Sequence, residues 1–287
     1  MTTSERPQSE RLKAPKSRET VVNLNTVSTR GKESLIAIGE VSAFTAEAVR
    51  NFPSTIRLYG SEVFRQAGIL VLSSGLIIWF MMFIIGGQCG LEASYTMDQL
   101  GAPLYSAVFN AYCGFREMAY YMWAWILAAK VGCGYVAEVG SMRISDEVDA
   151  MEVMGIKSVS YLVSTRLLAM LLAGPFLFTV GIGVVFTAEF FVTVLYLGQV
   201  STGGYQYIFW MYQNPYDFFS VLVRTILVSM IIVAVALYYG YTARGGPVGV
   251  GRATAKSMVV NLIVITALGL IATLIIWGAD VQAPVAN

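Results

Sequence analysis

Arg116 and Glu117 stand side by side in the interior of a long apolar run, and Arg224 stands inside another. An ionisable group in hydrocarbon is costly unless it is paired or lines a wet cavity. Adjacent residues on a helix point roughly 100° apart, so Arg116 and Glu117 need not pair with each other. Two readings follow. In one, Arg116, Glu117 and Arg224 line a cavity that handles an anionic headgroup or a carboxylate. In the other, Glu117 and Arg224 form a structural ion pair that fixes how two helices pack.

A second constellation lies between residues 137 and 160. Met142, Val148, Met151, Val153 and Met154 give an apolar set, while Asp146, Glu147, Asp149 and Glu152 make an acidic surface. Gly155 is placed to end such a helix. By composition, a solvated acidic face and a docking surface for a soluble partner are both open. Methionine suits the second because it packs adaptably.

Much other chemistry is excluded. The chain has no histidine, which removes the commonest general base and the usual partner of a Ser or Cys nucleophile. Cys89, Cys113 and Cys133 are isolated, without the paired spacing of a metal or redox site; they read as packing residues. No GxxxxGK[ST] loop is present, so this polypeptide has nothing with which to cradle ATP phosphates. No cofactor is expected in the chain. A net charge of +1 gives no footprint for nucleic acid.

The elements that must position these residues are membrane helices. Of 287 residues, 56% are hydrophobic and 13% charged, about half the charge of a soluble domain. The sequence predicts an all-α integral membrane protein. Residues 1–32 are polar and read as a disordered cytoplasmic tail. Residues 33–60 read as an interfacial amphipathic helix, with Leu35, Ile38, Val41, Val49 and Phe52 near helical spacing. Five spans are expected at about 67–86, 104–129, 161–195, 217–241 and 257–277, each long enough for a hydrocarbon core that needs about 20 residues. Gly174-Pro175 marks a kink or notch in the third. Gly75, Gly181, Gly183 and Gly269 allow close helix approach. Glu189 is expected near the external end of its span, reaching the headgroups.

Orientation follows from Lys and Arg. Ten precede residue 67, and segments 86–103, 196–216 and 278–287 hold none. The N-terminus is therefore expected in the cytoplasm and the external tail at 281–287 outside. No signal peptide is expected; the first span directs insertion itself.

The run from Val136 to Ala169 resembles the signature of the MlaE (YrbE) permeases, membrane subunits of ABC transporters that work with MCE-domain lipid-binding proteins. Ala137, Glu138, Gly140, Met142, Arg143, Glu152 and Met154 match its AE-x-G-x-MR-x-x-E-Q-x-x-x-x-E-x-M pattern, with Asp146-Glu147 standing where it has Glu-Gln. Arg116-Glu117 and the GRAT run at 251–254 match as well, and the resemblance covers residues 60 to 280. It departs after Met118, where Ala119-Tyr120 replace Gly-Pro, at Ala129 to Gly132 where the family often reads GRAG, and at Thr165 where it has Pro.

The resemblance implies a permease domain over 61–280, with a cytoplasmic coupling helix at about 138–155 gripped by a separate ABC ATPase that carries the ATP and Mg. It assigns that contact to Glu138, Arg143, Glu147, Asp149 and Glu152. It further implies a dimer with a second copy or a paralogue, MCE-domain partners, a lipid or fatty-acid substrate and residence in a bacterial inner membrane. An ATP-independent secondary transporter or channel is the competing reading; it leaves the acidic helix without a partner. A membrane-embedded lipid enzyme is disfavoured by the missing histidine.

Overall fold

A computed structural model describes the backbone from Leu24 to Gly278 and side chains from Ile36 onward. The expected tail up to residue 23 and the expected external tail at 281–287 lie outside the described residues. The chain divides into two compact units, one ending at Glu40 and one beginning at Val41. All secondary structure among the described residues is helical.

Helix α1 covers Leu24–Arg50 and α2 covers Phe52–Gln99. The single interfacial helix expected over 33–60 is thus divided at Asn51. Pro53 lies in the first turn of α2, where its missing N–H would be unpaired anyway. Tyr59 leaves helical geometry at φ −126°, and beyond it α2 runs into the first apolar stretch without a loop. The start of α1 at Leu24 also extends helix into residues expected to be disordered.

The next rod is a series of segments joined end to end: α3 (Ser106–Phe109), a wide π-helical turn (Asn110–Met118), α4 (Ala119–Ile126), a second wide turn (Leu127–Gly132) and α5 (Cys133–Ile144). A short helix α6 (Glu147–Val153) follows. Then come a wide turn (Val159–Ser164), α7 (Thr165–Phe190), another wide turn (Phe191–Tyr196), α8 (Thr202–Met211), α9 (Pro215–Tyr241) and α10 (Gly246–Trp277). Gly245 and Gly246 join α9 to α10 at φ +89° and +70°, a region open to glycine and strained for other residues.

Among the described residues, four helices are long and apolar enough to cross a membrane: α2, the continuous 159–196 stretch, α9 and α10. The fifth expected span, 104–129, is helical but interrupted by the wide turn at Asn110–Met118, which holds Arg116 and Glu117. Such turns are rare, and they re-aim side chains out of α-helical register.

The bundle is held by buried bulk and by close backbone approach together. A Cβ on Gly86 would lie 2.6 Å from the carbonyl oxygen of Val185, and one on Gly90 3.2 Å from that of Glu189. These glycines bring α2 against α7, where association depends on packing because lipid is as apolar as the helix surface. Gly75, Gly181 and Gly269 likewise face neighbours, but a Cβ on Gly183 would meet nothing within 4 Å. At the centre Trp123 is fully buried and donates from Nε1 to Ser229 Oγ at 2.8 Å. At one end α8, capped by Ser201 Oγ accepting from Gly204 N at 3.2 Å, lays Tyr205 and Phe209 over Ala107, Ala111 and Val194.

Candidate functional site

The wide turn at Asn110–Met118 aims its two charges at different partners. Arg116 donates from Nε to Asp217 Oδ2 at 3.1 Å, and its Nη2 closes the ion pair at 2.5 Å. Asp217 stands in the first turn of α9 and also accepts from Trp277 Nε1 at 2.8 Å. The Arg116 guanidinium lies 4.2 Å from the centre of the Tyr112 ring. Arg224, two turns further along α9, pairs with Glu117 at 3.2 Å. It also donates to Thr273 Oγ1 at 2.8 Å and to the Arg116 carbonyl at 3.2 Å, with its guanidinium 3.8 Å from the centre of the Tyr120 ring. The result is two ion pairs joined through the Arg116 backbone and flanked by aromatic faces. A cation over such a face gains electrostatic attraction.

Burial separates the four charges. The side chains of Arg116, Asp217 and Arg224 are 8%, 2% and 3% exposed, whereas Glu117 is 28% exposed. Beside them opens a cavity of 650 Å³ whose wall includes Met97, Tyr105, Phe109, Tyr112, Arg116 and Glu117. The structure brings the three residues singled out from the sequence together. Arg116 and Glu117 reach the cavity wall, while Arg224 lies behind Glu117. The ion pair expected between Glu117 and Arg224 is present as well.

The acidic stretch is not one helix over 138–155. Asp146 adopts left-handed φ of +59° and breaks it into α5 and α6, an elbow that short polar residues tolerate. Four of the five expected contact residues fasten this elbow. Glu138 accepts from Arg166 Nη2 at 2.6 Å and Arg143 pairs with Asp149. Glu152 accepts from the hydroxyls of Ser158 and Tyr241, the latter at 3.2 Å. Glu147 bonds only its neighbour Ser145, at 3.0 Å. The most outward apolar residues of the elbow are Val153 and Met154, at 89% and 68% exposed.

Residues 63–275 match the family described as Permease MlaE, which is most of the chain and includes both the paired charges and the elbow. The chain belongs to the MlaE permease family. A probable ABC transporter permease protein of Rickettsia bellii is 26% identical over 244 residues, covering 84% of this chain and 94% of the relative. One from Rickettsia felis is 28% identical over the same length and coverage. The Arabidopsis thaliana chloroplastic protein TRIGALACTOSYLDIACYLGLYCEROL 1 is 27% identical over 152 residues, which is 52% of this chain and 42% of that protein. This MlaE permease is accordingly a membrane protein and an ABC transporter permease.

Sequence reading missed some of the side chains that hold the MlaE permease's charges in place. Asp217 lies at a span boundary, where an acid reads as a helix start; nothing local marks it as the partner of a residue 101 positions earlier. Trp277 and Thr273 look like ordinary span residues, yet both bond the carboxylates. Glu189, expected to reach the headgroups, is fully buried instead.

Proposed function

We propose that this chain is the membrane subunit of an ABC transporter that moves a lipid or fatty acid across or out of a bacterial inner membrane, with MCE-domain proteins outside and a separate ATPase inside. In this reading the chain does no catalysis itself. It crosses the membrane five times, counting the interrupted helix of residues 106–144, with the N-terminus cytoplasmic and the C-terminus external. Two copies, or this chain and a paralogue, enclose the transport path.

The observation that carries the reading is the cavity beside the paired charges. Its wall is apolar enough for acyl chains, and Glu117 is the one partly exposed charge of the four. Arg116 adds a guanidinium at the wall whose charge Asp217 already balances. A headgroup could exchange hydrogen bonds there without leaving either arginine bare. The lipid class is supported by the Arabidopsis relative, which bears the name of a galactolipid. The elbow supports the ATPase contact: Val153 and Met154 project, Arg143 of α5 pairs with Asp149 of α6, and Glu138 of α5 pairs with Arg166 of α7.

Purifying the native assembly and identifying its subunits and bound lipid by mass spectrometry tests the whole reading. Glu117→Gln should lower the amount of co-purified lipid while leaving the ATPase bound. Val153→Asp with Met154→Asp should do the reverse, releasing the ATPase. Transport that persists with every nucleotide-hydrolysing partner deleted would overturn the proposal in favour of a secondary transporter.

A further inference from the structure

Glu189 has no exposed surface, and neither of its carboxylate oxygens has a hydrogen-bond partner. It stands near the end of α7, facing the wide turn that carries Arg116 and Glu117. Its place there is built. A Cβ on Gly114 would lie 1.7 Å from Glu189 Oε1, so the carboxyl fills the notch that the glycine leaves. One turn further along both helices the contact repeats, with Asn110 Nδ2 donating to Thr193 Oγ1 at 3.2 Å and to the Tyr205 hydroxyl at 3.1 Å. Asn110 and Thr193 are fully buried as well, and Asn110 Oδ1 lacks a donor. Three buried acceptor atoms therefore lie along one short interface between helices, and Tyr205 of α8 closes it.

The groups that face Glu189 offer no counter-charge. Cys113 from the turn, Tyr205 from α8 and Cys89 from α2 are its titratable neighbours. Arg116, two residues past Gly114, is turned toward Asp217. A bare carboxylate in such surroundings is strongly disfavoured. What balances it must be small, since the carboxyl is pressed against the Gly114 backbone.

We propose that Glu189 is a proton-binding site: its carboxyl holds a proton while α7, the Asn110–Met118 turn and α8 are packed together, and releases it to water when they part. The O–H bond breaks heterolytically, the electron pair stays on the carboxylate, and water takes the proton. Opening is thereby linked to proton release. Because the same turn carries Arg116 and Glu117, the state of Glu189 sets the shape of the cavity wall. The site itself does not depend on a lipid entering that cavity.

Infrared spectroscopy of the full chain in lipid nanodiscs tests this directly, without any transport assay. The wild type should show the carbonyl stretch of a protonated carboxylic acid, shifted in heavy water, that Glu189→Gln lacks. Raising the pH should remove that band. Hydrogen exchange at residues 110–118 and 202–211 should then rise in the wild type relative to Glu189→Gln at the same pH, by up to about tenfold per pH unit, the limit for one linked proton. Glu189→Met, also neutral at every pH, provides the same comparison should the amide variant fail to accumulate. Three results would each overturn the proposal: no acid band assignable to Glu189, loss of the band on adding sodium at constant pH, or equal exchange in wild type and variant throughout the titration.

Discussion

Arg116 and Arg224 are both buried, yet they stand in different electrostatic positions. Arg116 pairs with Asp217, which is itself 2% exposed. Removing one partner of a buried pair leaves an uncompensated charge and costs about 3–5 kcal/mol. Arg224 keeps the Arg116 carbonyl, Thr273 Oγ1 and the Tyr120 face even without Glu117, and Glu117 is partly in contact with solvent. With those contacts kept and Glu117 28% exposed, losing this pair should cost less than losing one whose two partners are both desolvated. Asp217→Asn should therefore destabilise the protein more than Glu117→Gln. Unfolding in detergent, followed by tryptophan fluorescence, gives the comparison, and equal losses would show that the two pairs act as one unit. This ranking was not legible in the sequence. Arg116, Glu117 and Arg224 announce themselves because charge is rare in apolar runs, whereas Asp217 looks like a helix-starting acid until the fold brings α9 beside the turn.

At the scale of elements, the contact between α2 and α7 rests on where backbone meets backbone. Gly86 faces a carbonyl oxygen that cannot move without distorting α7, while the neighbours of Gly181 are atoms of the flexible Met82 side chain. Gly183 faces open space. Gly86→Ala should thus destabilise the bundle by about 1–3 kcal/mol, the usual cost of overpacking. Gly183→Ala should be neutral or stabilise it by up to about 1 kcal/mol through helix propensity. Thermal unfolding of the two variants in one detergent measures the difference, and a Gly86→Ala protein as stable as Gly183→Ala would mean that α2 and α7 do not touch there. Four apolar rods and their order could be read from hydropathy, because length and composition suffice for that. The wide turns could not. They keep apolar composition and change only the register, and it is register that turns Arg116 toward Asp217 and Glu117 toward Arg224. The elbow shows the same limit: the acidic run was visible, but the break at Asp146 is set by one left-handed residue.

For the whole molecule, the distribution of charge separates two ends of the bundle. The elbow end carries Arg143, Lys157, Arg244, Arg252 and Lys256, while the segment around α8 has no Lys or Arg from 196 to 216. Positive loops are retained in the cytoplasm during insertion, so the elbow should lie inside and α8 outside. That arrangement puts Val153 and Met154 where a soluble ATPase can reach them. It also puts Glu189 and Tyr205 in the half of the bundle that meets the external medium, where a released proton would go. The three native cysteines are buried or half-buried and can be replaced by alanine to give a background for labelling. In that background Met154→Cys should react with an impermeant maleimide only after the membrane is opened. Gly203→Cys, at an exposed position in the first turn of α8, should react in intact cells. The reverse pattern would put the elbow outside, out of reach of cytoplasmic nucleotide, and remove the mechanical basis for an ABC permease. Labelling of both positions from one side would mean that the interrupted helix of residues 106–144, or one of its neighbours, does not cross.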